Sequence, residues 1–529
     1  MTYRVVVATT LSQTGLELLR AEVGGLVQTI APDHAKNHPA LATAEALIIR
    51  DELDIDHAML DAMPNLRVIG RAGVGIAGID IEEATRRGIV VMNTPGINAI
   101  SVAEYSMALL LALARHVVQA HTALGTGTWD RNALLGMELH RKTLGIIGLG
   151  RVGREVAKRA LSFGMRVLAY DPYVAENHLQ GLQVKLVGST ELLSSADVIS
   201  IHCAATPETR HMLNLETLAL CKPNALLVNT AHGSIVDEDA LLTMLNNGRL
   251  AGAGLDVFAH EPVHNSRLVN HPKVLHTPHL GDSTYEAQRD IGMIIAQQVL
   301  DALRGEDYRN VVNMPVVDGT SFETIAPYLK LAEAIGTLQH YLAAGPIQRV
   351  MLEFKGQEFQ HLVKPMTVAL LRGLLVPVLG RDHVNYINAP VLAHERNIFV
   401  TQAKGLDSTD YANLLSCQSE YASGKLVIAG ALFNQTDPHI VLVDQYRADF
   451  VPQGVLLIIG SYDIPGVIGR VGLLLAENNI NIADWRTGRA ERGGNTLSIA
   501  TLDEPLPETV MATLLAQDYI RHARQIVLA

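Results

Sequence analysis

The sequence predicts an α/β protein in which two doubly wound parallel sheets are followed by two α+β regions. Short apolar segments alternate with helical ones over the first 97 residues, and the same alternation returns from Thr143 to Thr277. Residues 313–450 mix amphipathic helix with longer strands. From Gly454 the pattern becomes strand, helix, strand, strand, helix, strand, which is typical of a ferredoxin-like domain. A chain of 529 residues is too long for one core, so we expect at least three domains.

The first region contains the segments expected of a parallel sheet. Its candidate strands are 5–8, 46–50, 66–69 and 89–92, and helices such as 12–21 and 81–87 lie between them. Arg71 begins a glycine- and alanine-rich segment at a strand end. Ligands bind beyond the carboxyl ends of parallel strands, so Arg71 is a candidate anion contact. The alternative is a solvated arginine on a turn.

A loop and a long apolar helix follow, over residues 93–115. Ser101 and Glu104 have the spacing of a capping box, which predicts that the helix begins at Ser101. The glycine-containing loop after the helix carries Trp129, which either forms an interface or is buried inside the fold.

The most specific pattern is G-x-G-x-x-G at Gly148, Gly150 and Gly153, placed between an apolar strand and a helix. These glycines permit a tight turn, close approach of a pyrophosphate and close packing of the helix on the strand. A second strand ends at Asp171, whose carboxylate suits the two ribose hydroxyls and would repel a 2′-phosphate. The unit therefore predicts a Rossmann-like domain that binds NAD in preference to NADP.

Further candidate strands, 198–202, 225–230, 250–257 and 274–277, complete this second sheet. Their carboxyl ends should open on one cleft. The polar residues at those ends are His202, Thr206, Thr230, His232, Asp256, Glu261 and His279. Histidine titrates near neutrality, and a carboxylate beside it raises its pKa, so this set favours acid–base chemistry.

Composition and charge exclude several classes of protein. A net charge of −12 disfavours nucleic acid or an anionic membrane as the main partner. Three cysteines without C-x-x-C spacing indicate neither a metal site nor a disulfide framework, which fits a cytoplasmic protein. The N-terminus lacks a signal-peptide pattern, and the apolar stretch 106–114 is too short to span a bilayer.

Several segments together resemble the D-isomer-specific 2-hydroxyacid dehydrogenases. They are RAGVG, GLGRVGREVA, AYDPY, GSIVDEDAL, GLDVFAHEP and TPHLGDST. The chain is similar over its full length to the long form of these enzymes. That resemblance implies a substrate-binding domain of residues 1–97 and 285–312, an NAD-binding domain of 98–284, an intervening domain of 313–450 and an ACT regulatory domain of 451–529. The helices near 100–115 and 285–304 would act as a hinge.

The resemblance also implies roles for individual residues. His279 matches the general acid–base that exchanges a proton with the C2 oxygen of the substrate, and Glu261 matches the carboxylate that orients it. Arg50 and Arg71 match the positions that bind the anionic groups of the substrate. The residues that match cofactor contacts are Gly148, Gly150, Arg151, Val152, Gly153, Asp171, Cys203, Thr230, Ala231, Asp256 and Gly281.

One position departs from the family pattern. The family has arginine after N-T-A, where it holds the substrate carboxylate, and this chain has His232. Arginine offers five donors and a permanent charge, whereas histidine is shorter and mostly neutral at pH 7. We therefore expect His232 to be a catalytic residue that alters activity, substrate choice or pH optimum.

The C-terminal region, beginning VLLIIGSYDIPGVIG, resembles an ACT domain. Asp463 and Asn481 match the family positions that hold serine as an effector across a domain dimer. The alternative is a dimerisation domain that binds nothing. The resemblance further implies a homodimer or homotetramer.

The activity implied by the resemblance is NAD-dependent oxidation of 3-phospho-D-glycerate to 3-phosphohydroxypyruvate, the entry to serine biosynthesis. One alternative is a dehydrogenase for another small anionic 2-hydroxy acid, such as 2-hydroxyglutarate. Another is a low-activity or non-catalytic sensor that binds NAD and an amino acid but has lost turnover through His232.

Overall fold

A computed structural model describes residues 3–528 except 25, 51, 77, 176–178, 180, 265, 315–321, 382 and 407–410. The chain divides into two compact units. The first consists of Met1–Thr10, Gly15–Asn93 and Ile294–Ala529, and the second of Leu11–Thr14 and Thr94–Met293.

The first unit begins with a five-stranded parallel sheet of order β2-β1-β3-β4-β5. Its strands are β1 (Val5–Val7), β2 (Val27–Thr29), β3 (Ala46–Ile49), β4 (Val68–Arg71) and β5 (Val90–Met92), and its helices are α1 (Gln13–Glu22), α2 (His57–Asp61) and α3 (Ile81–Arg86). Strands β1, β3 and β5 are valine-, isoleucine- and leucine-rich and buried throughout, as expected of a parallel sheet covered on both faces. The predicted alternation is confirmed, although β2 was not among the predicted strands.

The second unit contains a seven-stranded parallel sheet of order β12-β11-β10-β9-β6-β7-β8. Its strands are β6 (Thr143–Ile147), β7 (Arg166–Tyr170), β8 (Val184–Leu186), β9 (Val198–Ile201), β10 (Ala225–Asn229), β11 (Leu250–Leu255) and β12 (Val274–His276). The helices are α4 (Ala99–Ala114), α5 (Val117–Gly125), α6 (Arg151–Ser162), α7 (Ser189–Ser195), α8 (Leu215–Ala219) and α9 (Glu238–Asn246), and α10 (Tyr285–Arg304) follows. The strand order reverses between β6 and β9, which is where a doubly wound sheet places its ligand.

The predicted start of helix α4 was wrong. The helix begins at Ala99 after Asn98, and the hydroxyl of Ser101 is bonded to the hydroxyl of Thr284 at 2.8 Å instead of capping a helix. Glu104 forms an ion pair with Arg159. The S-x-x-E spacing also occurs on one face inside a helix, so the pattern alone could not fix the boundary.

Two further features of this unit bear on the predictions. Trp129 is 79% exposed, so the alternative of a buried tryptophan was wrong. Among the described helices, none alone is long and apolar enough to cross a membrane, although α4 and α5 meet that test as a pair bent by 58°.

The third region, within the first unit, has a six-stranded sheet of order β14-β13-β15-β16-β17-β18. Its strands are β13 (Ile347–Lys355), β14 (Phe399–Leu406), β15 (Leu414–Tyr421), β16 (Gly424–Phe433), β17 (Asp437–Val443) and β18 (Tyr446–Phe450), and its helices are α11 (Phe322–Leu342), α12 (Val363–Leu379) and α13 (Ala389–Glu395). Only β13 and β14 are parallel among these described strands.

A proline inside a helix ordinarily breaks or kinks it, yet helix α12 continues through Pro377. Proline lacks the N–H that would bond the carbonyl of Gly373 four residues earlier. The hydroxyl of Thr337 on α11 donates to that carbonyl at 3.1 Å and replaces the missing bond. The helix therefore continues to Leu379.

The last region has the predicted ferredoxin-like arrangement. Strands β19 (Gly454–Tyr462), β20 (Ile482–Arg489), β21 (Asn495–Leu502) and β22 (Ile520–Leu528) form an antiparallel sheet of order β20-β21-β19-β22, with helices α14 (Val467–Glu477) and α15 (Glu508–Leu515). The fold class predicted from the sequence is thus confirmed.

Candidate active site

The centre of the candidate site is an ion pair between His279 and Glu261 in the second unit. The Nδ1 atom of His279 lies 2.7 Å from Oε2 of Glu261. The other carboxylate oxygen of Glu261 accepts the N–H of Phe258 at 2.8 Å, which fixes the carboxylate against its own loop. Because Nδ1 is committed to Glu261, Nε2 is the nitrogen of His279 that is left to face another group.

The two residues shift each other's pKa in opposite directions. The hydrogen bond to Glu261 raises the pKa of His279, and this outweighs the opposing effect of burial. Burial alone would raise the pKa of Glu261, but the bonds from His279 and Phe258 lower it. The pair therefore favours an ionised Glu261 beside a histidine that stays protonated to a higher pH than usual.

His279 lies in a loop whose conformation is set by Asp256, a residue only 1% exposed. The Asp256 carboxylate accepts the hydroxyl of Thr277 at 2.6 Å and the N–H groups of Leu280 and Gly281, each at 2.8 Å. The carbonyl of Asp256 also accepts the N–H of His279 at 3.0 Å. His279 itself has φ of 55°, a left-handed conformation that a non-glycine residue adopts only when its surroundings impose it.

His232 lies close to this pair. Burial lowers its pKa, the charge on His279 lowers it further, and Glu261 acts in the opposite direction. Gly233 follows it because a Cβ there would lie 1.9 Å from the carbonyl carbon of Phe258. The turn thus packs against the loop that carries Glu261, and His232 is mostly uncharged at neutral pH.

The glycine-rich loop between β6 and α6 has the geometry of a pyrophosphate cradle. A Cβ on Gly148, whose φ is 92°, would lie 2.5 Å from the N atom of Cys203, and one on Gly153 would lie 2.1 Å from the carbonyl oxygen of Gly148. Both positions therefore require glycine for the fold. A Cβ on Gly150 would meet no atom within 4 Å, so the space above the start of α6 is open to an anion.

Asp171 stands at the end of the neighbouring strand β7. Its carboxylate oxygens accept the N–H of Leu149 at 2.8 Å and the N–H of Tyr173 at 2.9 Å. These bonds fix the orientation of the carboxylate beside the glycine loop, and each oxygen keeps a second lone pair for a ribose hydroxyl. The residues present therefore fit a dinucleotide with an unmodified ribose.

The remaining predicted cofactor residues lie at the start of α6 and just after strands β9 and β10. The Arg151 guanidinium donates to the carbonyl of Pro95 at 2.6 Å, and Val152 is partly buried beside α4. Burial raises the pKa of Cys203 to about 11, so it is a thiol. The Thr230 hydroxyl is bonded to that of Ser106 at 2.7 Å, and the N–H of Ala231 donates to Asn229.

Two residues of the predicted cleft serve the fold instead. Burial lowers the pKa of His202 to about 3, and its Nε2 is bonded to the hydroxyl of Ser200 at 2.7 Å. Thr206 forms a local turn with Thr209. The acid–base cluster therefore comprises His279, Glu261 and His232, with Asp256 beneath it.

Arg50 and Arg71 belong to the first unit, where they follow and end the adjacent strands β3 and β4. Arg71 is 2% exposed, and burial, with the nearby charge of Arg50, lowers its pKa to about 10. The Nε of Arg50 donates to the carbonyl of Ala72 at 2.9 Å. The structure therefore does not support the alternative of a solvated Arg71.

The two predicted effector residues are each bonded inside the ferredoxin-like domain. Asp463 accepts the N–H of Gly493 at 2.8 Å and lies 3.5 Å from Arg489. Asn481 donates to Asp503 at 2.7 Å. In the part of the chain that the structure describes, no hydrogen bond joins Asp463 to Asn481.

Three residues that support the site, Thr277, Ser106 and Glu238, were not predicted from the sequence. Glu238 accepts the N–H of Ala259 at 2.8 Å and so supports the loop that carries Glu261. These partners are separated in sequence by 21 or more positions, and no periodic pattern relates them.

Comparisons with known proteins agree with this geometry. Residues 107–281 match the model of the D-isomer specific 2-hydroxyacid dehydrogenase NAD-binding domain, and residues 324–444 match that of the D-3-phosphoglycerate dehydrogenase intervening domain. The chain is 42% identical to a D-3-phosphoglycerate dehydrogenase of Methanocaldococcus jannaschii over 88% of this chain and 89% of that protein. It is 37% identical to a D-3-phosphoglycerate dehydrogenase of Synechocystis over 99% of this chain and 95% of that protein.

Among solved structures, the TT0316 protein of Thermus thermophilus aligns with a TM-score of 0.54 and 36% identity, over 58% of this chain and 99% of that one. A D-lactate dehydrogenase of Aquifex aeolicus, solved in complex with NAD and lactic acid, aligns with a TM-score of 0.52 and 29% identity, over 57% and 96%. NAD is therefore the cofactor. With the identity to relatives extending over nearly its full length, the chain belongs to the D-3-phosphoglycerate dehydrogenases, within the D-isomer specific 2-hydroxyacid dehydrogenases.

Proposed function

We propose that this NAD-dependent dehydrogenase oxidises 3-phospho-D-glycerate to 3-phosphohydroxypyruvate, the first step of serine biosynthesis. The observation that carries the proposal is the Glu261–His279 ion pair in the same unit as the glycine cradle and Asp171. The relatives that match over nearly the full chain support the choice of substrate.

The chemistry of the site follows from the roles of its side chains. NAD, when bound, supplies the acceptor for the hydride that leaves C2. His279 accepts the hydroxyl proton at Nε2, and Glu261 stabilises the imidazolium that forms. The Asp256 carboxylate and carbonyl hold the loop so that His279 keeps one orientation throughout.

Arg50 and Arg71 are proposed to bind the anionic groups of the substrate. Two guanidinium groups at the ends of adjacent parallel strands give a local positive potential in a protein of net charge −12. A buried arginine with a lowered pKa is electrostatically costly, and an anion would relieve that cost.

His232 favours a second candidate function, a weakly active form of the same enzyme. A neutral imidazole offers one N–H to a carboxylate, where the family arginine offers a charged fork. On this view the site binds NAD and substrate but stabilises the transition state less well. A preference for a different 2-hydroxy acid, such as 2-hydroxyglutarate, would arise from the same residue.

We also propose that the chain is divided into domains at 97/98, 284/285, 312/313 and 450/451, and that it forms a homodimer or homotetramer in the cytoplasm. Trp129 and Leu135 are each 79% exposed, which favours burial against a second copy. The three cysteines are free, which supports a reducing compartment.

Asp463 and Asn481 are proposed to hold serine as an effector, with dimerisation alone as the alternative.

The test is an NADH-absorbance assay against a panel of 2-hydroxy and 2-oxo acids at several pH values. The proposal predicts the highest kcat/KM for 3-phospho-D-glycerate and 3-phosphohydroxypyruvate. A higher value for 2-hydroxyglutarate would reassign the substrate. If no member of the panel is turned over, the protein would instead be a non-catalytic sensor.

A further inference from the structure

A cavity of about 470 Å³ lies at one end of the third region of the first unit. It is a cleft open to solvent on one side, bounded by the C-terminal ends of α11 and α12 and by the segments that lead into β13 and β14. The lining residues are His340, Ala343, Gly345, Pro346, Ile347, Leu374, Leu375, Val378, Arg396 and Ile398. A volume of this size accommodates a small organic molecule.

The wall of the cavity is mainly apolar. Leu374 and Leu375 are nearly fully buried, whereas Val378 on the next turn of α12 is 63% exposed and marks the mouth. Together with Ile347 and Ile398 these side chains form the apolar part of the lining, which would hold an aliphatic or aromatic body.

The polar groups at the cavity are basic. Arg396 and His340 line it, and none of the described lining residues is acidic. Arg524 on strand β22 lies close to His340, because its guanidinium donates to the carbonyl of the adjacent residue Tyr341. Burial lowers the pKa of His340, and the charge of Arg524 lowers it further, so His340 offers a neutral N–H donor. The Arg396 guanidinium donates to the carbonyl of Leu392 at 3.2 Å, and its other N–H groups supply the cationic donors of the lining.

We infer that this cavity is a binding site for a small monocarboxylate with an apolar body, such as an aromatic or branched-chain acid. Arg396 binds the carboxylate, His340 donates a hydrogen bond to it, and the leucine and valine side chains of α12 pack on the body. A zwitterionic amino acid fits less well, because no carboxylate lines the cavity to receive its ammonium group.

The site is separate from the dehydrogenase chemistry. It lies on α11, α12, β13 and β14 with β22 close by, and none of its residues is a predicted catalytic, cofactor or effector residue. Substitutions at the cavity should therefore change ligand binding while kcat and KM for the dehydrogenase reaction stay the same.

The test is calorimetric titration of the full-length holoenzyme, saturated with NADH, with 3-phenylpropanoate. The neutral 3-phenylpropanamide and the zwitterion phenylalanine are titrated in parallel. We expect the carboxylate to bind at millimolar concentration or below, and each of the other two to bind roughly tenfold more weakly or worse. Equal binding of the amide, or no binding of the carboxylate, would overturn the inference.

Variants assign the binding to this cavity. Arg396→Gln should weaken 3-phenylpropanoate roughly tenfold or more, while Lys330→Gln, which removes a charge from an exposed position on α11, should leave it unchanged. At the mouth, Val378→Glu should weaken binding by repelling the carboxylate of the ligand. Val378→Gln introduces a side chain of the same size as glutamate but without its charge, and it should leave binding unchanged. Binding that survives both Arg396→Gln and Val378→Glu would place the ligand elsewhere and refute the site.

Discussion

The Nδ1 atom of His279 lies 2.7 Å from Oε2 of Glu261, and this contact raises the pKa of the histidine. In the proposed mechanism, oxidation of a hydroxy acid needs His279 neutral, so kcat/KM should rise as the pH increases through that raised pKa. The substitution Glu261→Gln removes the carboxylate that raises the pKa of His279. The acid limb of the pH profile should move to lower pH, and the plateau should fall roughly 100-fold because the base is weaker. An unmoved limb would mean that another group sets the pKa.

Removing the Asp256 carboxylate should disorder the loop that carries His279. In Asp256→Ala the N–H groups of Leu280 and Gly281 lose their acceptor, at about 1–3 kcal/mol for each group that stays buried. We expect a lower Tm together with a loss of kcat of at least about 100-fold. The control is Glu286→Gln, which removes an exposed carboxylate from the start of α10. A variant with normal kcat would contradict the positioning role.

The Asp171 carboxylate should make the enzyme selective for NAD. Its repulsion of a 2′-phosphate, together with lost ribose hydrogen bonds, should cost NADP at least about 2 kcal/mol, or roughly thirtyfold in affinity. Asp171→Ala should narrow the gap, chiefly by weakening NAD. Fluorescence titration of both cofactors measures this, and equal affinities in the parent enzyme would contradict it.

Serine binding at the C-terminal domain is tested by calorimetry at millimolar serine. If Asp463 and Asn481 hold serine, it should lower activity without competing with NAD, and by linkage a ligand that favours the active state should weaken serine. Asp463→Asn should weaken the binding. If the titration shows no heat of serine binding, dimerisation would be the only role left for this domain.

His232 should restrict activity because the pKa values in the site oppose what oxidation requires. Only a protonated His232 can replace a guanidinium, yet burial and His279 lower its pKa while Glu261 raises that of His279. As the pH falls, His279 therefore becomes charged before His232 does. Oxidation should be slow throughout, and reduction, which needs both charged, should gain on moving from pH 8 toward 6.

The substitution His232→Arg supplies the missing charge at every pH. A charged hydrogen bond contributes about 1.5–3 kcal/mol, so kcat/KM for oxidation should rise roughly 10- to 150-fold, most at high pH. The measurement is the pH profile of parent and variant in both directions. A variant no better than the parent at pH 8 would indicate a pocket shaped for a different substrate.

The sequence allowed the acid–base pair to be predicted because parallel topology brings distant strand ends together. Glu261 and His279 are 18 positions apart, yet they follow the adjacent strands β11 and β12. The structural roles of Gly148 and Gly153 could also be predicted, because the motif requires glycine where the backbone leaves no room for a side chain.

Contacts between elements could not be predicted in this way. Nothing in the sequence around Pro377 indicates that Thr337 would replace its missing hydrogen bond. The four bonds that Asp256 makes to residues 277–281 likewise depend on the folded loop. Local sequence patterns thus predicted the helices, the strands and the reactive side chains. The ends of the helices and the hydrogen bonds that hold the site depend on packing between elements.

The most direct test of the proposed mechanism is the turnover of His279→Gln beside its affinity for NADH. Glutamine keeps a polar side chain but cannot accept the hydroxyl proton as a base. We predict an NADH affinity within about threefold of the parent, because Asp171 and the glycine cradle are untouched, and a kcat lowered by about 10²–10⁴-fold. A variant that binds NADH normally and retains a kcat within tenfold of the parent would contradict His279 as the acid–base.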